Sequence, residues 1–208
     1  MTKTKQQLLY LEELINFSKK FKKYKPVIFY GTLLGIERDN SIIKNDDDLD
    51  FLVDYNHKKQ IEKDIKKSKK YKINKKISHK YFTQFFFKID DITIFIDLYF
   101  FTNLKKNKFI IDRHNFFGNF RDNNSSLHIP KKYFYPIRKS NLQQNIFLPN
   151  KAKLLCKFLY GYQWKIPLKK YSNYKMRLHN NKPVLVKKNF FSSLVKNLKL
   201  FFSLSSNK

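Results

Sequence analysis

The apolar positions of residues 6–23 recur at helical spacing: Leu8, Leu11, Leu14, Ile15, Phe17 and Phe21, with charged side chains between them. This predicts an amphipathic helix that stops before Pro26. Val27–Tyr30 is a short β-prone run entering Gly31-Thr32. It predicts a buried strand over 27–30 and a tight turn where the backbone passes close to something. Leu33, Leu34 and Ile36 predict a short helix after that turn, Glu37–Ser41 a polar loop, and Leu49–Val53 a second strand. Residues 57–70 read as a Lys-rich helix anchored by Ile61 and Ile65. Residues 71–77, 81–89 and 92–101 predict three strands, the last two joined by a turn at Asp90-Asp91. The stretch 102–128 is polar and reads as irregular. Its Arg113, His114, Arg121 and His128 are suited to binding a substrate phosphate or simply to holding the loop. A helix over 151–160 ends at Gly161, a C-cap position, and Trp164 and Pro167 then form a structural corner.

The pattern changes after residue 167, which sets the expected division into a domain of residues 1–167 and a basic extension of residues 168–208. Residues 168–189 are basic and polar, with Pro183 as a break. Phe190, Phe191, Leu194, Val195, Leu198, Phe201 and Phe202 then form an apolar stripe at helical spacing, flanked by Lys187, Lys188, Lys196 and Lys199. A helix over 190–204 is about 22 Å long, too short to cross a bilayer. It suits either an anionic membrane interface, contacted through 187–204, or docking on its own domain.

Composition narrows the function classes. The 208 residues carry 44 Lys+Arg against 16 Asp+Glu, a formal net charge of +28. Such a surface favours polyanions, but Lys runs such as Lys66-Lys67 and Lys69-Lys70 also read as solvated faces, so nucleic acid is not expected as a partner. Hydrophobic content of 42% argues for a folded chain. Cys156 is the only cysteine, which excludes an internal disulfide and a cysteine-rich zinc site. The opening Met-Thr-Lys-Thr-Lys-Gln-Gln lacks the apolar core of a signal peptide. The expected location is cytoplasmic, with at most peripheral contact with a membrane surface.

Against this positive background stands the acidic run Asp46-Asp47-Asp48-Leu49-Asp50, which opens directly onto the strand Leu49–Val53. Residues two apart on a strand share a face, so Asp48 and Asp50 stand side by side. Paired carboxylates repel, and their first chemical use is to share a hard cation such as Mg²⁺ or Mn²⁺. Asp97 is a lone acid in the apolar run Ile94–Phe100, where an unpaired charge is expensive. If the two strands are neighbours, it completes a three-carboxylate cage. The plainer alternative is a solvated acidic turn at 46–50 and a surface-facing Asp97.

Gly-Thr, a spacer, Asp-x-Asp between apolar residues and a lone Asp on a later strand resemble the nucleotidyltransferase-fold signature. The fuller strings Gly31-Thr32-Leu33-Leu34-Gly35-Ile36-Glu37-Arg38 and Asp46-Asp47-Asp48-Leu49-Asp50 resemble the LicD/fukutin family. So do Phe134-Tyr135-Pro136-Ile137, Leu148-Pro149-Asn150 and Tyr160-Gly161-Tyr162-Gln163-Trp164-Lys165-Ile166-Pro167. The resemblance covers roughly residues 25–167. It implies an α+β protein of the polymerase β-like nucleotidyltransferase fold: a mixed sheet flanked by helices, here followed by the basic C-terminal amphipathic helix.

The reaction it implies is metal-dependent transfer of a phospho-alcohol, of phosphocholine or ribitol-phosphate type. The donor is CDP-activated, the acceptor is a hydroxyl of a surface glycan or lipid-linked sugar, and CMP is released. Asp48 and Asp50 would be the main metal ligands; Asp97 would bind a second metal or take the proton of the attacking hydroxyl. Gly31 would let the backbone approach the phosphates, Thr32 would donate a hydrogen bond, and Arg38 and Lys88 would neutralise phosphate charge. Two other classes fit the residues: a template-independent nucleotidyltransferase acting on RNA or a small acceptor, and a non-catalytic polyanion-binding module.

Overall fold

The computed structural model describes residues 4–114, 126–141, 143–167, 174–179 and 182–187. The expected helix over 190–204 and Arg121 lie outside them. The first helix, α1 (Lys5–Lys20), opens on a capping box, in which Thr4 accepts from the Gln7 N–H and the Gln7 side chain accepts from the Thr4 N–H. After Pro26 come β1 (Val27–Ile28) and α2 (Tyr30–Asp39). The strand is therefore shorter than 27–30, because Phe29 serves as the N-cap of α2. Glu37, Arg38 and Asp39 are helical rather than loop, and α2 stops only at Asn40, in the left-handed conformation at φ 50°.

Next come β2 (Asp48–Asp54), α3 (Lys58–Lys67), β3 (Lys72–Ile73), β4 (Phe82–Ile89) and β5 (Ile92–Thr102). The β4–β5 turn falls at Asp90-Asp91, with Asp90 at φ 51°. The strand predicted over 71–77 is only two residues long. The stretch 102–128 contains β6 (Phe109–Asp112) and the start of β7 (Leu127–Pro130), which pair with each other and, through β6, with the end of β5. Its polar composition hid the two short apolar runs. The one-turn helix α4 (Lys131–Phe134), the two-residue strands β8 (Arg138–Lys139) and β9 (Phe147–Leu148), and α5 (Ala152–Tyr160) complete the family-like region. Gly161 caps α5 at φ 84°, and Trp164 is buried beneath that corner. Residues 174–179 and 182–187 form the hairpin β10–β11, with Pro183 inside β11 opposite Leu178 rather than breaking the chain.

Among the described residues, one mixed sheet runs β3-β4-β5-β2-β1-β9-β8, with β6 and β7 extending from β5. The two long central strands, β2 and β5, are parallel, in a register that sets Asp50 opposite Asp97. Parallel neighbours need a crossover, which α3, β3 and β4 supply. Side chains alternate between the two faces. On one face, Phe51 meets Phe17 of α1 at a ring separation of 4.9 Å, and Lys58 of α3 lies over the Phe100 ring. On the other, Tyr99 meets Tyr30 of α2 at 4.8 Å, and Phe101 meets Phe134 of α4. Helices thus flank both faces of an α+β sheet, and Asp48, Asp50 and Asp97 all lie on the α2 face.

Candidate metal centre

Two neighbouring strands place the three carboxylates. Asp48 and Asp50 are the first and third residues of β2; Asp97 is the sixth of β5, directly across from Asp50. One oxygen from each of the three lies within 4.8 Å of the others. Asp50 and Asp97 are each only 4% exposed. A second set, Asp46, Asp47 and Asp48, meets the same distance limit and shares Asp48 with the first.

The surroundings orient these groups without neutralising them. The Asp50 N–H donates to Thr32 Oγ1 at 2.8 Å, and the Thr32 N–H donates to Asp50 Oδ2 at 3.4 Å. Phe29 N–H donates to the Asp50 carbonyl at 3.0 Å, so the start of α2 is pinned to β2 at this residue. The first turn of α2 thereby directs the positive end of its helix dipole at Asp50. Gln84 Nε2 donates to Asp97 Oδ1 at 2.8 Å, from the position on β4 that pairs with Asp97. The loop before β2 is held by α1: Gln7 Nε2 donates to the Ile42 carbonyl, Gln6 Nε2 to the Asp46 carbonyl, and the Tyr10 hydroxyl to the Asp47 carbonyl at 2.7 Å.

Charge in this pocket is costly. Burial, then neighbouring Asp48 and Asp47, push the Asp46 carboxyl up to about 7. Burial, then Asp48, push Asp97 up to about 7 despite the Gln84 hydrogen bond. Burial raises Asp48 as well, and raises Asp50 well above the usual carboxylate range, with Asp48 and Asp97 adding repulsion there. Asp46 Oδ2 is buried without a hydrogen-bond partner. Clustered oxygen donors, each destabilised as an anion, fit a hard divalent cation, which takes oxygen ligands and relieves the repulsion.

Gly31 shows how tightly α2 closes on the cage. A Cβ there would lie 3.0 Å from Asp46 Oδ2 and 3.2 Å from Asp50 Oδ2. The close approach expected of this glycine is therefore to the carboxylates themselves. Gly31→Ala should keep the fold, since its backbone is not left-handed, while pushing both oxygens out of place. Metal-dependent turnover should fall on the order of 10- to 100-fold at nearly unchanged melting temperature, measured by steady-state kinetics and thermal denaturation. Gly35, on the same helix, lies against backbone instead: a Cβ there would meet the Ser41 carbonyl at 2.5 Å.

The remaining expected residues sit differently. Thr32 is fully buried, and its hydroxyl accepts from the Asp50 backbone, so it lies beneath the carboxylates rather than beside an open phosphate site. Arg38 pairs with Asp39 at 2.8 Å and is close enough to Asp46 to favour its ionised form. Lys88 is exposed on β4, four positions from Gln84, or roughly 13 Å along the strand. The Phe86–Phe95 ring pair stands between it and Asp97, so the structure does not bring Lys88 into the cage. Asp46, read from sequence only as part of the acidic run, does face Gly31; the pairing of Asp with the following Asp-x-Asp was the available signal.

A protein-family model described as LicD/FKTN/FKRP, nucleotidyltransferase domain, matches residues 24–151. No curated protein and no solved structure matches the chain. The family match spans well over half of the chain and takes in Gly31, the acidic run and Asp97, and the chain therefore belongs to the LicD/FKTN/FKRP family.

Proposed function

We propose that the chain transfers a phospho-alcohol from a CDP-activated donor to a hydroxyl of a glycan or lipid-linked sugar, releasing CMP. Family membership supports a transferase that modifies glycans. The observation that carries the reading is the register of β2 against β5, which sets Asp50 beside Asp97 with Asp48 two residues away on the same face. Asp48, Asp50 and Asp97 would hold Mg²⁺ or Mn²⁺, with Asp46 beside them. Bound there, the cation supplies Lewis acidity and countercharge for a diphosphate. The nucleotidyltransferase fold is part of the same proposal, supported by the mixed sheet and by the description of the matching family.

The protein's own groups do the rest. Thr32 and Gln84 hold Asp50 and Asp97 in fixed orientations, so the cage is organised before substrate arrives. Gly31 keeps the backbone clear of the carboxylates. Asp97, beside Asp50 on the neighbouring strand, would bind a second cation or accept the proton of the attacking hydroxyl. As that oxygen bonds to the phosphorus distal to the nucleoside, the bond from this phosphorus to the bridging oxygen breaks, and CMP leaves with that oxygen. Arg38, whose charge favours the ionised form of Asp46, would offset charge on the leaving group.

The test is nucleotide product analysis. Purified protein with Mg²⁺ or Mn²⁺ is given a panel of CDP-alcohols and nucleoside triphosphates. The reading predicts CMP from at least one CDP-alcohol, abolished by Asp48→Asn. Pyrophosphate from a triphosphate would instead establish nucleotidyl transfer.

A further inference from the structure

Tyr30, the first residue of α2, has a backbone φ of 41°. For a bulky L-residue this left-handed conformation costs roughly 1–2 kcal/mol, and it persists only where the surroundings enforce it. The enforcing contacts come from far along the chain. The Tyr30 hydroxyl donates to Asp112 Oδ2 at 2.5 Å. Asp112 is fully buried, and its other oxygen accepts the His114 N–H at 2.9 Å. The Tyr30 ring is wedged edge-on between Phe29 and Tyr99, at 4.9 and 4.8 Å.

Asp112 is not itself part of the cage. It pairs with Phe101, four residues beyond Asp97 on β5, or roughly 13 Å along that strand. Yet the residues it fixes through Tyr30 are two that touch the cage from α2: Gly31, packed on Asp46 and Asp50, and Thr32, bonded twice to Asp50. If Tyr30 relaxed to negative φ, the peptide leading into Gly31 would rotate, and both contacts would shift together.

We infer that Asp112 is a positioning residue for the metal centre: through the Tyr30 hydroxyl it holds the strained first turn of α2 against Asp50 and Asp46, and so sets the affinity of the cage for a divalent cation. This rests on the metal reading above. It explains why a lone acid at the end of the apolar run Phe109–Asp112 is buried beneath a tyrosine, and why a non-glycine residue tolerates positive φ immediately before Gly31.

The test is Mn²⁺ binding to the full chain, followed by the electron paramagnetic resonance signal of the free ion, with melting temperature measured in parallel. Tyr30→Phe and Asp112→Leu should weaken Mn²⁺ binding about tenfold or more. Asp112→Asn keeps both contacts, with the polarity of the Tyr30 bond reversed, and should stay within about threefold of wild type. Ile65→Ala, a cavity in α3 on the other face of the sheet, is the control for lost stability alone, and should melt lower with unchanged Mn²⁺ affinity. Wild-type affinity in Tyr30→Phe, or an equal loss in Ile65→Ala, would overturn the positioning role while leaving the metal centre standing. Absence of Mn²⁺ binding by the wild-type protein would overturn the metal centre itself, and the positioning role with it.

Discussion

Asp97→Asn should lower turnover about a thousandfold or more while making the metal-free protein more stable to heat at pH 8. The first effect follows from losing an anionic oxygen at the centre of the cage; a thousandfold corresponds to about 4 kcal/mol of transition-state stabilisation. The second follows from the environment of Asp97. It is 4% exposed, faces Asp50 directly across the sheet, and is raised to about 7 by burial and Asp48. Ionised Asp97 therefore destabilises the folded state. Asparagine removes that charge yet keeps Oδ1 to accept from Gln84. A structural carboxylate held by cationic partners would behave oppositely and lose stability on the same change. Opposed movement of rate and melting temperature is thus a signature of acids kept for a cation.

Metal and pH should act on stability through the same groups. In the metal-free protein Asp46 and Asp97 have carboxyls raised to about 7, and Asp112 is raised to about 7 by burial. A carboxyl whose folded-state pKa lies above its unfolded value binds protons more tightly when folded, so its contribution to stability is lost as pH rises through the folded value. Between pH 8 and about 6.5 these groups protonate, while the histidines of the unfolded chain reach half protonation only at the lower end of the window. Melting temperature should accordingly rise as pH falls across this window, by about 2–6 °C for a chain of this size. Below pH 6.5 His114 opposes the trend, because burial lowers it to about 3, and unfolding then takes up a proton. Saturating Mg²⁺ should raise the melting temperature at pH 8 by about 5–10 °C at a hundredfold excess over Kd. It should do less at pH 6.5, where protons compete for the same oxygens. Calorimetry with and without chelator at the two pH values measures all four states. Equal melting temperatures with and without Mg²⁺ at pH 8 would contradict the account.

The parts of this arrangement that could be read from sequence are the local ones. The spacing of Asp48 and Asp50 placed them on one face of a strand, because strand period is two whatever the strand packs against. The Asp90-Asp91 turn followed from polar residues between two β-prone runs, and Gly161 marked the end of α5. That Asp97 sits exactly one strand away from Asp50 was a conditional reading, since the register of two parallel strands separated by a crossover leaves no local trace. Three features stayed hidden for identifiable reasons. Tyr30 looked like the end of a strand, and its helical start at positive φ is imposed by Asp112 more than eighty positions along the chain. Phe109–Asp112 is a four-residue strand in polar surroundings, too short to show a period. Arg38 and Lys88 are cations whose sequence positions say nothing of direction: one turns to its neighbour Asp39, the other projects beyond the Phe86–Phe95 pair. Among the described residues no helix is long and apolar enough to cross a membrane, and the amphipathic stripe of 190–204 lies outside them.

The most direct measurement is the fate of oxygen-18 during slow hydrolysis of a CDP-alcohol in labelled water, with Mg²⁺ or Mn²⁺ and no acceptor. Water then stands in for the acceptor hydroxyl, and the label records which phosphorus is attacked. The account predicts label in the phospho-alcohol, none in CMP, and loss of the reaction in Asp97→Asn. Label in CMP would show attack at the phosphorus next to the nucleoside, and undiminished hydrolysis by Asp97→Asn would show that the carboxylate cage is not where the reaction occurs.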